Sequence, residues 1–122
     1  MTKKKKHLPT NEQIEQFKML TELLQSIYNE MKEFSKKKPD EPLNKFKVKS
    51  VNRVLTRVKD ILKEEPTVDF LDILDDETLP TNSDAILIIG QFQASMDRFK
   101  KKYHYQEKHT YEWKWRTIET EK

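Results

Sequence analysis

Residues 10–34, TNEQIEQFKMLTELLQSIYNEMKEF, decide the kind of fold this chain adopts. Ile14, Phe17, Leu20, Leu24, Ile27, Met31 and Phe34 recur at steps of three and four, with Leu23 and Tyr28 widening the stripe. Such spacing returns to nearly the same angle on an α-helix and gives it one apolar face. Thr10 followed by Gln13 has the form of a capping box, in which each side chain accepts from the other's backbone N–H. Pro39 and Pro42 in KKKPDEP (36–42) stop the helix, and the preceding lysines suit its negative end. A helix is therefore expected over residues 11–37, and it needs partners to cover its stripe.

Two later segments supply them. SVNRVLTRVKDILKEE (50–65) places Val51, Val54, Leu55, Val58, Ile61 and Leu62 on one helical face, with Arg53, Arg57, Lys59 and Lys63 toward solvent. LNKFKVKS ahead of it reads in two ways. It can extend that helix back into the low forties, the favoured reading, or form a short strand with Phe46 and Val48 alternating against lysines. After Pro80, Thr81 with Asp84 at the fourth position, or Asn82 or Ser83 as the actual cap, can open a helix, and Ala85, Ile88 or Ile89, Phe92, Met96, Phe99 and Tyr103 continue the stripe almost to KKKYH. Gly90 interrupts it at a cost of about 1 kcal/mol relative to Ala, which suggests a close helix crossing. The competing reading makes DAILII a strand and starts the helix after Gly90, but no second parallel-strand pattern accompanies it.

Between these segments, TVDFLDILDDETLP (67–80) can make one or two helical turns with Val68, Leu71 and Leu74 inward and Asp69, Asp72, Asp75 and Asp76 outward. Phe70 and Ile73 keep an extended alternative open. A short acidic helix closing the end of a bundle is the expectation. The tail changes period: Tyr111, Trp113 and Trp115 alternate with Glu112, Lys114 and Arg116, as in a strand with one apolar face. Its partner is Lys45–Lys49, a hairpin within HYQEKHTYEW, or another molecule. The fold class expected is mainly α, a bundle of three principal helices with a short acidic connecting helix and an aromatic extended or β C-terminal segment. Residues 1–9 are expected to form a flexible basic N-terminus, 10–104 the bundle, and 105–122 an extension that can pack on it.

Composition narrows the function. In 122 residues, 37% charged and 34% hydrophobic, there is no cysteine, so disulfide and thiolate chemistry are excluded. The three histidines are scattered. The longest strongly apolar run is AILII (85–89), far short of the roughly 18 residues that suggest a membrane span, and the lysine-rich start has no apolar run behind it. A chain without a transmembrane segment, cytoplasmic or otherwise intracellular, is expected. No glycine-rich phosphate loop, nucleotide fingerprint or nucleophile elbow occurs, so neither enzymatic activity nor a cofactor is implied. Asp40 with Glu112-x-Lys114 contains residue types that nucleases use, but nothing in the spacing brings them together. The aspartates could hold a divalent cation only if they converged, and a solvated acidic face explains them more simply.

Charge is the strongest signal. From Glu64 to Asp97 nine acids stand without a Lys or Arg, while the rest of the chain carries all 24 basic groups against twelve acids. The candidate nucleic-acid-binding residues are Lys45, Lys47, Lys49, Arg53, Arg57, Arg98, Lys100, Lys101 and Lys102, supported by Lys36 to Lys38. Lysines make up 20 of the basic residues, which favours phosphate attraction over base reading. The leading functional expectation is a non-enzymatic nucleic-acid-binding accessory protein. The alternative is a protein-binding adaptor or inhibitor, or a homo-oligomer, using Asp69, Asp72, Asp75, Asp76 and Glu77 with Tyr111, Trp113 and Trp115.

Overall fold

The computed structural model describes residues 7–121, so the lysines of the expected basic N-terminus lie outside the described residues. Three α-helices, α1 (Asn11–Lys37), α2 (Lys45–Ile61) and α3 (Asn82–Tyr103), precede two short strands, β1 (His104–Gln106) and β2 (Trp113–Trp115). The chain is mainly helical, as its periodicity requires.

The capping chemistry forms where the spacing places it. Gln13 N–H donates to Thr10 Oγ1 at 3.0 Å and Thr10 N–H to Gln13 Oε1 at 2.8 Å, and Thr81 and Asp84 form the same reciprocal pair at the start of α3. α2 starts at Lys45 because the Asn44 side chain accepts from Lys47 N–H at 2.8 Å. Leu43 and Val48, flanking that cap, are both buried and staple the chain's entry. The strand reading of Lys45–Lys49 is thereby excluded, and α2 ends at Ile61, short of the expected Glu65.

α1 is antiparallel to both other helices. Phe17 stacks on Phe99 with ring centroids 5.0 Å apart near one end, and Gln93 bonds Gln25 further along. At the other end Asn82 donates to Lys38 O at 2.8 Å, while Leu43 N–H and Asn82 N–H lock residues 41–43 onto 80–82. The core holds Ile14, Phe17, Leu20, Leu24 and Met31 of α1, Val48, Val51, Leu55 and Val58 of α2, and Ala85, Ile89, Phe92, Met96, Phe99 and Tyr103 of α3. Leu23 departs from the expected stripe and is 45% exposed, because it stands beyond the angle that α2 and α3 cover.

DAILII is helical throughout, as the favoured reading has it, since the Thr81 cap starts the helix ahead of it. Two expectations need correction. Gly90 marks no close crossing, because a methyl group there would meet nothing within 4 Å. The acidic connection is not an α-helix: a five-residue 3₁₀ turn, Pro66–Phe70, ends before Asp72. Asn52 of α2 explains why. Its side-chain amide accepts from Leu74 N–H and donates to Leu74 O, both at 2.8 Å, and so takes the place of helical partners. Leu71 and Leu74 are still buried, as expected, with the chain between them extended along α2.

The C-terminal segment turns back on itself. β1 and β2 pair antiparallel, His104 opposite Trp115 and Gln106 opposite Trp113, which selects the hairpin among the alternatives. Trp115 packs edge-on to Phe17 at 5.3 Å, and Thr117 is buried. Ile118 N–H donates to Pro9 O at 2.9 Å and Asn11 N–H to the Glu119 carboxylate at 2.6 Å, tying the tail to the start of α1.

Candidate nucleic-acid interface

α2 carries the densest basic surface. Lys45, Lys49, Arg53 and Arg57 follow one another at four-residue steps, each about 6 Å of helix rise, on the side away from Val51, Leu55 and Val58. All four are exposed, and none makes an ion pair among the described residues. Phe46, which the sequence reading left in the apolar alternation, stands among them and is 77% exposed. Lys47 is separate: it turns to α1 and lies over the Phe34 ring at 4.4 Å. Lys36 and Lys38, at the end of α1, pair with Glu33 and Glu41.

The basic run of α3 is splayed. Lys101 is bound to Asp97 at 3.0 Å, and Arg98 and Lys101 flank a shallow depression beside Thr67 and Ser95. Lys102 reaches back to Glu65, at 3.2 Å. Glu65 is buried and also accepts from the Tyr103 hydroxyl at 2.8 Å, so Lys102 belongs to a packed charge cluster that joins α3 to the end of α2. Burial draws the Lys102 ammonium toward neutrality, but its contacts with Tyr103 and Glu65 outweigh this and hold it charged. Burial and the Glu65 carboxylate both push the Tyr103 phenol up. Lys100 turns the other way, into a groove with Phe17 and Thr21 of α1.

That groove continues into one lined by Asp97, Lys100, Lys101, His104 and Trp113, which joins residues from the basic run to the aromatic tail. Trp113 stacks on His104 at 4.9 Å with the rings 22° apart, and His104 leans on Trp115 at 4.5 Å. Burial, then the nearby Lys100 and Lys18 charges, depress the His104 imidazole below its usual range. On the hairpin's other face Lys114 pairs with Glu107 and Arg116 lies over the Tyr105 ring at 5.0 Å, as the alternation requires. Tyr111 does not share the tryptophan face. It sits in the turn with φ 61, 72% exposed, because the tight reversal there needs a left-handed residue.

The acidic residues of the connection, 69–77, form no ion pair with these cations among the described residues. Asp69 stands in the 3₁₀ turn, with Asp72, Asp75, Asp76 and Glu77 exposed along the connection beyond it. The Asp75 carboxylate accepts from Glu77 N–H at 2.8 Å and Thr78 N–H at 3.4 Å, and these bonds hold it below the usual carboxylate range. Beside them Phe70, Ile73 and Leu87 are 77%, 44% and 64% exposed. Among the described residues no group of three or more His, Asp or Glu is placed to hold a metal, and no helix is long and apolar enough to cross a membrane. Asp40 and the Glu112-x-Lys114 pair lie at opposite ends of α1, roughly 40 Å apart at the α-helical rise for its length, so they form no common site.

No family model, curated protein or solved structure matches this chain, and its functional reading therefore rests on its own residues.

Proposed function

We propose that the protein is a non-enzymatic nucleic-acid-binding accessory protein whose phosphate contacts are made by α2. The carrying observation is the strip Lys45, Lys49, Arg53 and Arg57, four exposed cations in register with no acid paired to them among the described residues. Lys18, Lys36 and Lys101 are each answered by an acid one turn away on their own helix, whereas none of the four α2 cations is. Those of α2 leave their charge for an outside polyanion, and counterion release on phosphate binding supplies affinity with little sequence selectivity.

A fluorescence anisotropy titration with single-stranded and duplex oligonucleotides at two or more salt concentrations tests this. Four phosphate contacts predict a log–log salt slope of roughly −3 for a single strand. Replacing all four cations by glutamate, in a variant whose helical circular dichroism matches the parent, removes binding. Binding that is insensitive to salt or to this replacement refutes the proposal.

A second reading, a protein-binding adaptor, draws on the exposed Phe70, Ile73 and Leu87 beside Asp69, Asp72 and Asp76. Apolar anchors rimmed by acids suit a basic protein partner.

A further inference from the structure

Only one of the two tryptophans is needed to close the fold. Trp115 is half-buried, packed on Phe17 and within 6.5 Å of the Phe99 ring, and so joins the hairpin to the core of α1 and α3. Trp113 lies one step further out, 62% exposed, with His104 stacked against it and His104 in turn against Trp115. These rings form a ladder whose inner end is fixed in the core and whose outer end faces solvent. Lys100 and Lys101 border the same groove, and Lys100 has no ion-pair partner among the described residues. Asp97, the acid in the groove, is engaged by Lys101.

A rigid aromatic surface beside unanswered positive charge matches what an unpaired base and its phosphates require. A duplex hides its base faces in its own stack and offers this groove only phosphate. A protein ligand is less well suited, since the groove combines one flat ring with cations and lacks the enclosed apolar pocket in which a side-chain anchor is held. We propose that Trp113, backed by His104, is a stacking platform for a base of single-stranded nucleic acid, with Lys100 taking an adjacent phosphate. This deepens the nucleic-acid reading and rests on it, but it uses a surface distinct from the α2 strip.

The test uses the full chain with an oligothymidine of about 12 nucleotides, within the footprint of single-strand binders, and an abasic strand of equal length. Affinity is read by anisotropy, and stacking by quenching of the protein's tryptophan fluorescence. Oligothymidine is expected to quench and to bind roughly fivefold or more tightly than the abasic strand, a difference of the size that stacking one base supplies. Trp113→Ala abolishes that difference. Trp113→Phe, which preserves a ring and the hairpin, keeps most of the affinity but loses the quenching, since Trp115 alone remains to report. Equal binding of both strands without quenching overturns the platform while leaving the nucleic-acid reading standing, and failure of both strands to bind overturns both. Quenching that persists in Trp113→Phe assigns the contact elsewhere and also refutes the platform.

Discussion

Gly90 shows at the scale of a single residue how a sequence signal acquires its meaning only from its surroundings. A glycine inside an apolar helical stripe suggests a neighbouring backbone too close for a side chain, yet the space beside Gly90 is open. Its helix therefore carries glycine's entropic cost without a packing return. Gly90→Ala is predicted to stabilise the protein by about 0.5 to 1 kcal/mol, seen as a higher denaturant midpoint at unchanged m-value. A loss of stability would reveal a close approach that the structure does not contain. Asn52 is the converse case: an ordinary polar residue in the helix pattern, it satisfies both backbone groups of Leu74 and so directs the connection. Nothing in the spacing of NRVLTRV signals that role, because it depends on a residue 22 positions away. Glu65 was equally silent, since its burial and its bond to Tyr103 arise only when α3 ends beside it.

At the scale of elements, α1 was legible almost to the residue because cap, stripe and stop signals agree, and α3 was legible in its stripe, with its cap open among Thr81, Asn82 and Ser83. α2 was legible in its buried face, but its start required choosing between two periods over LNKFKVKS, a choice the Asn44 cap makes for helix. The hairpin was one of several options because its turn, around Lys108 to Tyr111, lacks the glycine that usually announces one, and Tyr111 takes the left-handed backbone instead. What the hairpin contributes is now specific. Trp115 and Thr117 fill the end of the α1–α3 core, and the chain beyond them holds Pro9 and Asn11. Truncation after Lys108 is predicted to cost about 2 kcal/mol or more, the scale of losing one large buried side chain, and to lower the thermal midpoint. An unchanged midpoint in the truncated chain would show that the tail does not close the bundle. Of the candidate site residues, Arg53 and Arg57 face outward as expected, whereas Lys47 turns to α1 and the meeting of Lys100, His104 and Trp113 depended on a turn the spacing could not place.

For the whole molecule, the division of charge along the chain does not become a division into opposite poles. The acidic connection climbs beside α2, held there by Asn52, which is one residue from Arg53 and three from Lys49. Negative and positive strips thus run side by side without an ion pair closing between them among the described residues. On the proposed function, such an arrangement would orient a polyanion, drawing it to α2 and the Lys100 groove while repelling it from the connection. It also separates the two functional readings in space, because a basic protein partner would be drawn to Phe70, Ile73 and Leu87 instead. Amide chemical-shift mapping of the full chain during titration with a single-stranded oligonucleotide therefore tests the central claim most directly. The account predicts that the shifts cluster on Lys45, Lys49, Arg53 and Arg57, with a second set at Lys100, His104 and the Trp113 indole, and that added salt reverses them. Shifts confined to residues 69–77 and Leu87, or no shifts at low salt, would contradict it.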